Sequence, residues 1–597
     1  MYRGVEIDYE KDNELSEMSR AILMDRYNLP DEESPQQIFA RAASAYAEDK
    51  EHAQRMYSYI TNRWFIPASP ILSNGGTDRG LPISCFGSYV PDSRGGITDH
   101  YAENAWLSSI GGGTAGYWGH VRSSEQATSR GSKSTGAIPF IKVTDSLTLA
   151  FAQGTNRRGA YAAYMDVSHP EIEEFIDIRR PTGDENRRAK NIHNGICIPD
   201  SFMRKITGED DNFMWELVDP NSKEVTSTVD ARALWVKILQ SRLETGEPYI
   251  VFSDTVHRAL PDCQKSKGLR VYGSNLCSEI LLPTTPDRSF VCCLGSVNLE
   301  TFDDWDDHKE QMIPDIVLFL DNVLQYFIDN APDAVSKAVA SAEKERAIGI
   351  GFMGLHALCQ KNMVPFAQDS GADIVQEVKE LAVLASRRLA KERGEPEDME
   401  GTGLRHSHLL AVAPNANIAP ILDTSPGIEP YAANVFVQKT MSGNFSQRNR
   451  YLASVLDQYD MNIDSTWSSI ATNKGSVQHL TFLTDYEREV FKTAYEIDQM
   501  DVVINAAYRQ PFICQAQSLN LFFAPDSMGK LDAKKVHDVH ITAWASGVKT
   551  LYYLRSLASS RVENVSERIE RSEMSITNKN AEIGLTPNKE IQCYGCD

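Results

Sequence analysis

Hydrophobic positions recur at helical spacing along several long stretches of the chain and as short unbroken runs elsewhere. After Pro314, Ile316, Leu320, Val323 and Phe327 fall at i, i+4, i+7 and i+11, which predicts an amphipathic helix. Ile374, Val378, Leu381 and Ala385 predict another over 372–393, with Gly394 as a C-terminal stop. Ser34-Pro35-Gln36-Gln37 reads as a helix start, with Ile38, Ala42, Ala45 and Tyr46 on its inner face, and Thr484-Asp-Tyr-Glu487 has the capping-box pattern. From Pro67 onward short apolar runs are broken by Gly75-Gly76, Gly95-Gly96 and Gly111-Gly112-Gly113, which predict strands, tight turns and loops. Strand-like runs alternating with helices predict an α/β class with a mostly parallel sheet or barrel. Before Pro67 the chain reads as helical and polar; after Ser556 it becomes rich in Lys, Asn and Glu, which predicts a mobile tail.

Composition narrows the class further. The 597 residues are 42% hydrophobic and 24% charged, as in an ordinary globular protein. A formal net charge of −22 argues against a nucleic-acid surface. No run of about 18 apolar residues offers a membrane span, and the N-terminus lacks the apolar core of a signal peptide, so a cytoplasmic location is expected. The ten cysteines, at 85, 197, 263, 277, 292, 293, 359, 514, 593 and 596, are scattered. In a reducing compartment that scatter favours catalytic or inert thiols over structural disulfides.

The most informative stretch is Asn275-Leu276-Cys277-Ser278-Glu279. In an extended segment the amide, thiol and carboxylate at alternating positions would share one face; a half-buried strand with a core cysteine is the plainer alternative. Gly349-Ile-Gly351-Phe-Met-Gly354 matches the dinucleotide fingerprint, but charged Glu343-Lys-Glu-Arg346 occupies the place of the preceding strand. A glycine-rich strand packed against a helix is the expected reading there. Ala413-Pro-Asn-Ala-Asn-Ile-Ala419 closes an apolar run with amides and small residues, and would offer free N–H groups to a phosphate if a helix starts there. The terminal Cys593-Tyr-Gly-Cys596 has no second Cys-x-x-Cys or spaced His pair near it, so a redox dithiol fits better than a metal site.

Taken in order, these segments resemble the large catalytic subunit of class I (aerobic) ribonucleotide reductases over nearly the whole chain. The residues that carry the resemblance are Ser84-Cys85-Phe86, Asn275 to Glu279, Cys292 in Cys-Cys-Leu-Gly-Ser-Val-Asn-Leu, Pro414-Asn-Ala-Asn, Thr424-Ser-Pro-Gly-Ile-Glu-Pro430, Tyr552-Tyr553 and Cys593/Cys596. The fold it implies is a ten-stranded α/β barrel with a central catalytic finger loop, preceded by a short helical domain. The division is then 1–67 helical, 68–556 barrel with specificity-site elements, and 557–597 a flexible tail carrying the redox dithiol.

By that resemblance Cys277 carries a thiyl radical, Glu279 is the general base for the 3′-OH and Asn275 holds the same region. Cys85 and Cys292 supply two electrons and become a disulfide, which Cys593/Cys596 reduce before an external thioredoxin- or glutaredoxin-like protein restores them. Tyr552 and Tyr553 pass the radical from a separate metal-containing beta subunit, so neither cofactor nor metal is expected in this chain. Ribonucleoside diphosphates are the expected substrates, met by Ser69, Ser84, Pro414, Asn415, Ala416, Asn417 and Ile418. Asp92, Arg122, Arg157 and Arg158 are the expected contacts to dNTP or ATP effectors, and a homodimer is expected. The charge and the lack of a long apolar run predict neither nucleic-acid nor membrane partners. Three departures stand out. The region before Cys85 leaves no room for the N-terminal ATP-cone of many relatives, Asn417-Ile-Ala-Pro420 replaces their usual Ser or Thr, and the chain after Tyr553 is brief. Two other readings remain: a cobalamin-dependent reductase, against which the tyrosine pair speaks, and a non-catalytic nucleotide sensor, against which the intact thiols speak.

Overall fold

The structure, a computed structural model, describes residues 4–151, 159–440, 443–526 and 529–557. Arg157, Arg158, Cys593 and Cys596 therefore lie outside the described residues, as does nearly all of the predicted tail.

Helices Glu17–Arg26, Pro35–Tyr46 and Lys50–Thr61 open the fold. The second begins where its sequence said: the Ser34 side chain caps its N-terminus and Gln37 returns the bond, burying Ile38, Ala42 and Tyr46. The capping box at Thr484 likewise forms, at the start of helix Asp485–Val490. Two other helices refine the expectation. Helix Lys309–Asn330 begins before Pro314, which lies inside it and forfeits one early backbone bond. Helix Ala372–Arg393 has the expected bounds, but its buried stripe runs through Val375, Val378, Ala382, Ala385 and Leu389, so Ile374 and Leu381 sit at its edge.

The strands close a barrel from two sets of five. Cys85–Tyr89, Gly113–Tyr117, Tyr161–Asp166, His193–Ile198 and Tyr249–Phe252 pair parallel in that order. In the second set, Phe290–Cys292 continues as Leu294–Asn298, which pairs parallel with Gly349–Met353. Parallel bridges Ile350–Leu410 and Val412–Gln517 add the next two members, and Leu521–Phe523 pairs parallel with Leu554–Ser556. The sets meet antiparallel at two seams, where Cys85 faces Cys292 and Ile250 faces Leu551. Ten strands thus close the ring among the described residues, which leaves no open sheet edge at the seams.

Gly349 and Gly351 are barrel-strand residues, which settles the fingerprint as packing. A Cβ on Gly349 would stand 2.3 Å from Leu294 Cδ2, and one on Gly351 would stand 2.8 Å from the Ala411 carbonyl oxygen. The interior is a cluster apart from the main core. It combines Ala115, Tyr117, Tyr164, Cys197, Tyr249 and Val251 from the strands with Leu276, Cys277 and Leu281 from the loop after Gly273.

Candidate active site

That loop threads the barrel and is tied to both halves of the wall. Tyr164 Oη donates to the Asn275 carbonyl at 2.5 Å, and Ser518 Oγ donates to that of Cys277 at 2.7 Å. Thr550 Oγ1 donates to the Ser278 carbonyl at 2.7 Å, and the Ala516 N–H to that of Glu279 at 2.8 Å. Gly273 enters at φ +73° beneath the Tyr164 ring, which a Cβ would meet at 2.7 Å.

Asn275 and Glu279 do come together, but not by strand alternation. The segment is a turn with Ser278 at φ +68°, so the expectation of an extended stretch is corrected. Asn275 is the cause: its Oδ1 accepts from the backbone N–H groups of Glu279 and Ile280, each at 3.1 Å, and bends the chain back. Its Nδ2 then donates to Glu279 Oε1 at 2.9 Å, while Ser518 Oγ donates to Oε2 at 3.2 Å. Burial pushes the Glu279 carboxyl up to about 8, the charge of Cys85 adds to it, and the hydrogen bonds oppose it.

Cys85 and Cys292 are direct partners across the antiparallel seam. Opposed residues in such a pair have Cα atoms about 4.5–5.5 Å apart, within the range a disulfide spans. Neither is joined in a disulfide. Burial raises the Cys292 thiol well above its ordinary value, and contact with Cys85 and the charge of Glu279 raise it further. The next residue faces the other way: Cys293 Sγ lies 3.5 Å from the Leu320 carbonyl in the helix layer, as strand alternation requires.

The Tyr552 and Tyr553 rings pack against each other, tilted by 51° with centroids 4.2 Å apart. Tyr249, which nothing in its local sequence singles out, completes a trio at 4.7 Å from Tyr552 and 5.1 Å from Tyr553. Burial raises the Tyr552 phenol well above its ordinary value, with Tyr553 and then Cys277 adding to it. Tyr553 Oη lies 3.2 Å from His193 Nδ1, and that nitrogen is 2.7 Å from Glu247 Oε1. Ser518, which ties the thiol-bearing loop to the carboxylate, was also missed, because its role depends on a contact with a distant loop.

The remaining expected residues occupy two places. Ser84 precedes Cys85, and its buried Oγ has no hydrogen-bond partner among the described residues. Asn415, at φ +56°, uses its side chain within the barrel: Nδ2 donates to the Phe352 carbonyl at 3.0 Å and Oδ1 accepts from Ser296 Oγ at 3.1 Å. Pro414 is buried, Ala416 is exposed, Asn417 is half-buried, and a short 3-10 turn Ala419–Ile421 follows Ile418. Ser69 Oγ is 2.8 Å from Tyr27 Oη, at the start of helix Ser69–Asn74. Away from these, Arg122 pairs with Asp92 at 2.9 Å beside the start of helix Arg94–Ser109.

The site is thus a barrel whose central loop carries a thiol and a buried carboxylate, facing two opposed thiols on its wall. Family models agree: the ribonucleotide reductase barrel domain matches residues 83–402 and 396–554, and the ribonucleotide reductase all-alpha domain matches 13–80. The chain belongs to the ribonucleotide reductase family as a large-subunit member, an oxidoreductase of deoxyribonucleotide synthesis. A Frog virus 3 (isolate Goorha) homologue is 46% identical over 530 residues, covering 87% of this chain and 91% of its own. The ribonucleoside-diphosphate reductase large subunit of Invertebrate iridescent virus 3 is 41% identical, covering 94% of this chain and 97% of its own. Among solved structures, the Actinobacillus ureae class Id ribonucleotide reductase alpha subunit superposes with a TM-score of 0.80 at 34% identity, over 94% of this chain and 100% of that one. Among the described residues no helix is long and apolar enough to cross a membrane.

The raised Glu279 carboxyl has a consequence for stability. Its folded value of about 8 lies above the unfolded value of about 4.3, so between these the folded state binds more protons. Stability therefore falls as pH rises through that window, with a limiting slope of about 1.4 kcal/mol per pH unit. Glu279→Gln removes the slope. Denaturation at pH 5, 6.5 and 8 is expected to show the variant gaining on the parent as pH rises; parallel profiles would refute the assignment.

Proposed function

We propose that this chain reduces ribonucleoside diphosphates to 2′-deoxyribonucleoside diphosphates by radical chemistry begun at Cys277. The observation that carries this reading is the meeting of Asn275 and Glu279 on the loop that presents Cys277, with Cys85 opposite Cys292 on the wall. In the proposed sequence a Cys277 thiyl radical takes the 3′-hydrogen, and Glu279 accepts the 3′-OH proton while Asn275 orients that carboxylate. The 2′-OH then leaves as water. Cys85 and Cys292 give up two electrons and two protons as their S–S bond forms, and Cys277 returns the abstracted hydrogen to C3′ and regains its radical, so the reduction balances. The tail pair Cys593/Cys596 would reopen that bond by thiol–disulfide exchange, with an external thioredoxin- or glutaredoxin-like protein as final donor.

Radical initiation belongs, on this reading, to a separate metal-containing beta subunit, which supplies an oxidising equivalent at Tyr553. The trio of contacting rings beside Cys277 supports that route. The unpartnered hydroxyl of Ser84 and the turn 414–418 support a substrate site there, with Ser69 nearby in sequence; at Asn415 the backbone N–H rather than the committed side chain would meet phosphate. Asp92, Arg122, Arg157 and Arg158 are the proposed contacts to dNTP or ATP effectors. The proposed division into 1–67, 68–556 and 557–597 and a cytoplasmic location complete the reading.

The decisive assay is CDP reduction by the purified chain with dithiothreitol, given either a radical-generating subunit or adenosylcobalamin. Turnover with the subunit alone is expected. Turnover with cobalamin alone would overturn the tyrosine route, and none under either condition would return the nucleotide-sensor reading.

A homodimer is part of the proposal, and exposed apolar side chains support it. Helices Arg94–Ser109 and Ile138–Ala150 pack together and leave Trp106 51%, Val143 46% and Leu149 63% exposed. Light scattering is expected to give twice the chain mass for the parent and a single chain mass for Trp106→Glu with Leu149→Glu. A monomeric parent would rule the dimer out.

A further inference from the structure

Tyr553 is the ring proposed to meet the oxidant first, and a base stands at its hydroxyl. His193, at the start of strand His193–Ile198, brings Nδ1 to 3.2 Å from Tyr553 Oη. The same nitrogen lies 2.9 Å from an Arg179 guanidinium nitrogen, which can only donate. Nδ1 therefore presents its lone pair, and the imidazole is assigned as neutral with its proton on Nε2. Beside it is the buried carboxylate of Glu247, just before strand Tyr249–Phe252, with Oε1 2.7 Å from Nδ1. Arg179 also pairs with this carboxylate, and the Asn194 N–H donates to Oε2 at 3.0 Å. Burial pushes the Glu247 carboxyl up, yet Arg179, His193 and the Asn194 N–H outweigh it and keep it below its ordinary value. The imidazole is held by rings on two sides: it stacks on Tyr249 at 6.0 Å and 17°, and meets Tyr553 edge-on at 5.9 Å. Tyr553 is 3% exposed, so bulk water cannot take its proton.

We propose that His193 is the catalytic base of radical entry, taking the phenolic proton of Tyr553 as that tyrosine is oxidised. The inference deepens the proposed radical route and rests on it. A phenol that has lost an electron is far too acidic to keep its proton, and an uncompensated charge in a buried site is costly. Electron and proton must therefore leave together, to different acceptors. The Tyr553 O–H bond breaks, an N–H bond forms at His193 Nδ1, and the electron passes to the oxidised group of the radical-generating subunit. The balance is TyrOH + Im → TyrO• + ImH⁺ + e⁻. Nδ1–H then donates to Glu247, which turns a contact between two acceptors into a charge-assisted hydrogen bond. Tyr553 takes a hydrogen atom from Tyr552 as the radical moves inward. When the radical returns to Tyr553, an electron from the subunit and the proton on Nδ1 restore both groups.

The test is CDP reduction by the full chain with the radical-generating subunit, for the parent, His193→Phe and His193→Ala. His193→Phe keeps a ring against Tyr249 and removes the base. Its kcat is expected to fall about 100-fold, the lower end of what a positioned base contributes, with KM for CDP and affinity for the subunit unchanged. In His193→Ala, added imidazole is expected to raise the rate at least about tenfold, whereas pyrazole, of the same shape but a far weaker base, raises it not at all. That contrast reads proton acceptance and not the filling of a gap. A His193→Phe enzyme within about threefold of an active parent overturns this inference alone. Equal rescue by the two azoles, or rescue by neither, reduces His193 to packing and overturns it as well. A parent that is inactive with the subunit overturns the radical route itself, and this inference with it.

Discussion

Cys277→Ser is expected to abolish ribonucleotide reduction while leaving the barrel folded. What holds the loop in place is its backbone: the Cys277 carbonyl accepts from Ser518, its Ser278 neighbour accepts from Thr550, and Glu279 accepts from Ala516. None of those bonds uses Sγ, and serine is close in size, so thermal unfolding should move little. The chemistry, in contrast, depends on sulfur. Starting from the tyrosine rings, a hydrogen atom must be drawn from residue 277, and an O–H bond is much stronger than an S–H bond. The oxygen-centred radical is therefore out of reach of a tyrosyl radical at Tyr552. A loss of at least about 10⁴-fold in turnover is expected, the scale seen when the group that opens a covalent or radical sequence is removed. Turnover within about a hundredfold of the parent, at unchanged unfolding temperature, would show that Cys277 is not the group that begins the reaction.

The route from sequence to this site was uneven, and the reasons are physical. Helices 35–46 and 372–393 were legible because their capping and periodicity are local. The cysteines, Asn275 and Glu279 were legible through their order along the chain, which the family resemblance reads. The manner in which they meet was not. Alternation suggested a strand, whereas Asn275 Oδ1 takes two backbone N–H groups and forces a turn with Ser278 in the left-handed region. Adjacent Tyr552 and Tyr553 gave no sign of belonging to a ring cluster, because its third member, Tyr249, comes from a strand of the other half-barrel. The glycines 349 and 351 match the nucleotide fingerprint yet were legible as a packed strand, because close packing of strand on strand makes the same demand for a missing Cβ. Charge clusters were equally invisible, since their members are spread along the chain.

The largest of those clusters supports the second expected result: Asp321→Ala should cost about 3–5 kcal/mol of stability, the range for leaving buried charges without their partner. Asp321, fully buried on helix Lys309–Asn330, is the shared acceptor for Arg346 at 2.8 Å, Arg393 at 2.8 Å and Arg405 at 3.0 Å, with His406 Nε2 at 3.3 Å. Burial pushes its carboxyl upward, but His406, Arg346 and Arg405 outweigh this and hold it far below the ordinary carboxylate range. Because the folded value is depressed, the stabilisation is present above the unfolded pKa of about 3.9 and is lost as pH falls toward the folded one. The cluster joins the helix to the residues just before barrel segment 409–413, so its loss bears on the wall of the site and not on the periphery alone. Alanine leaves three guanidinium groups facing one another; Arg346 and Arg405 are under a tenth exposed, so water cannot replace the carboxylate. Asp321→Asn should do nearly as much damage, since it keeps the shape and removes the charge. Denaturant unfolding at pH 7 is the measurement. A large loss in both variants identifies the charge as the holding element; a loss in alanine alone would reduce it to packing.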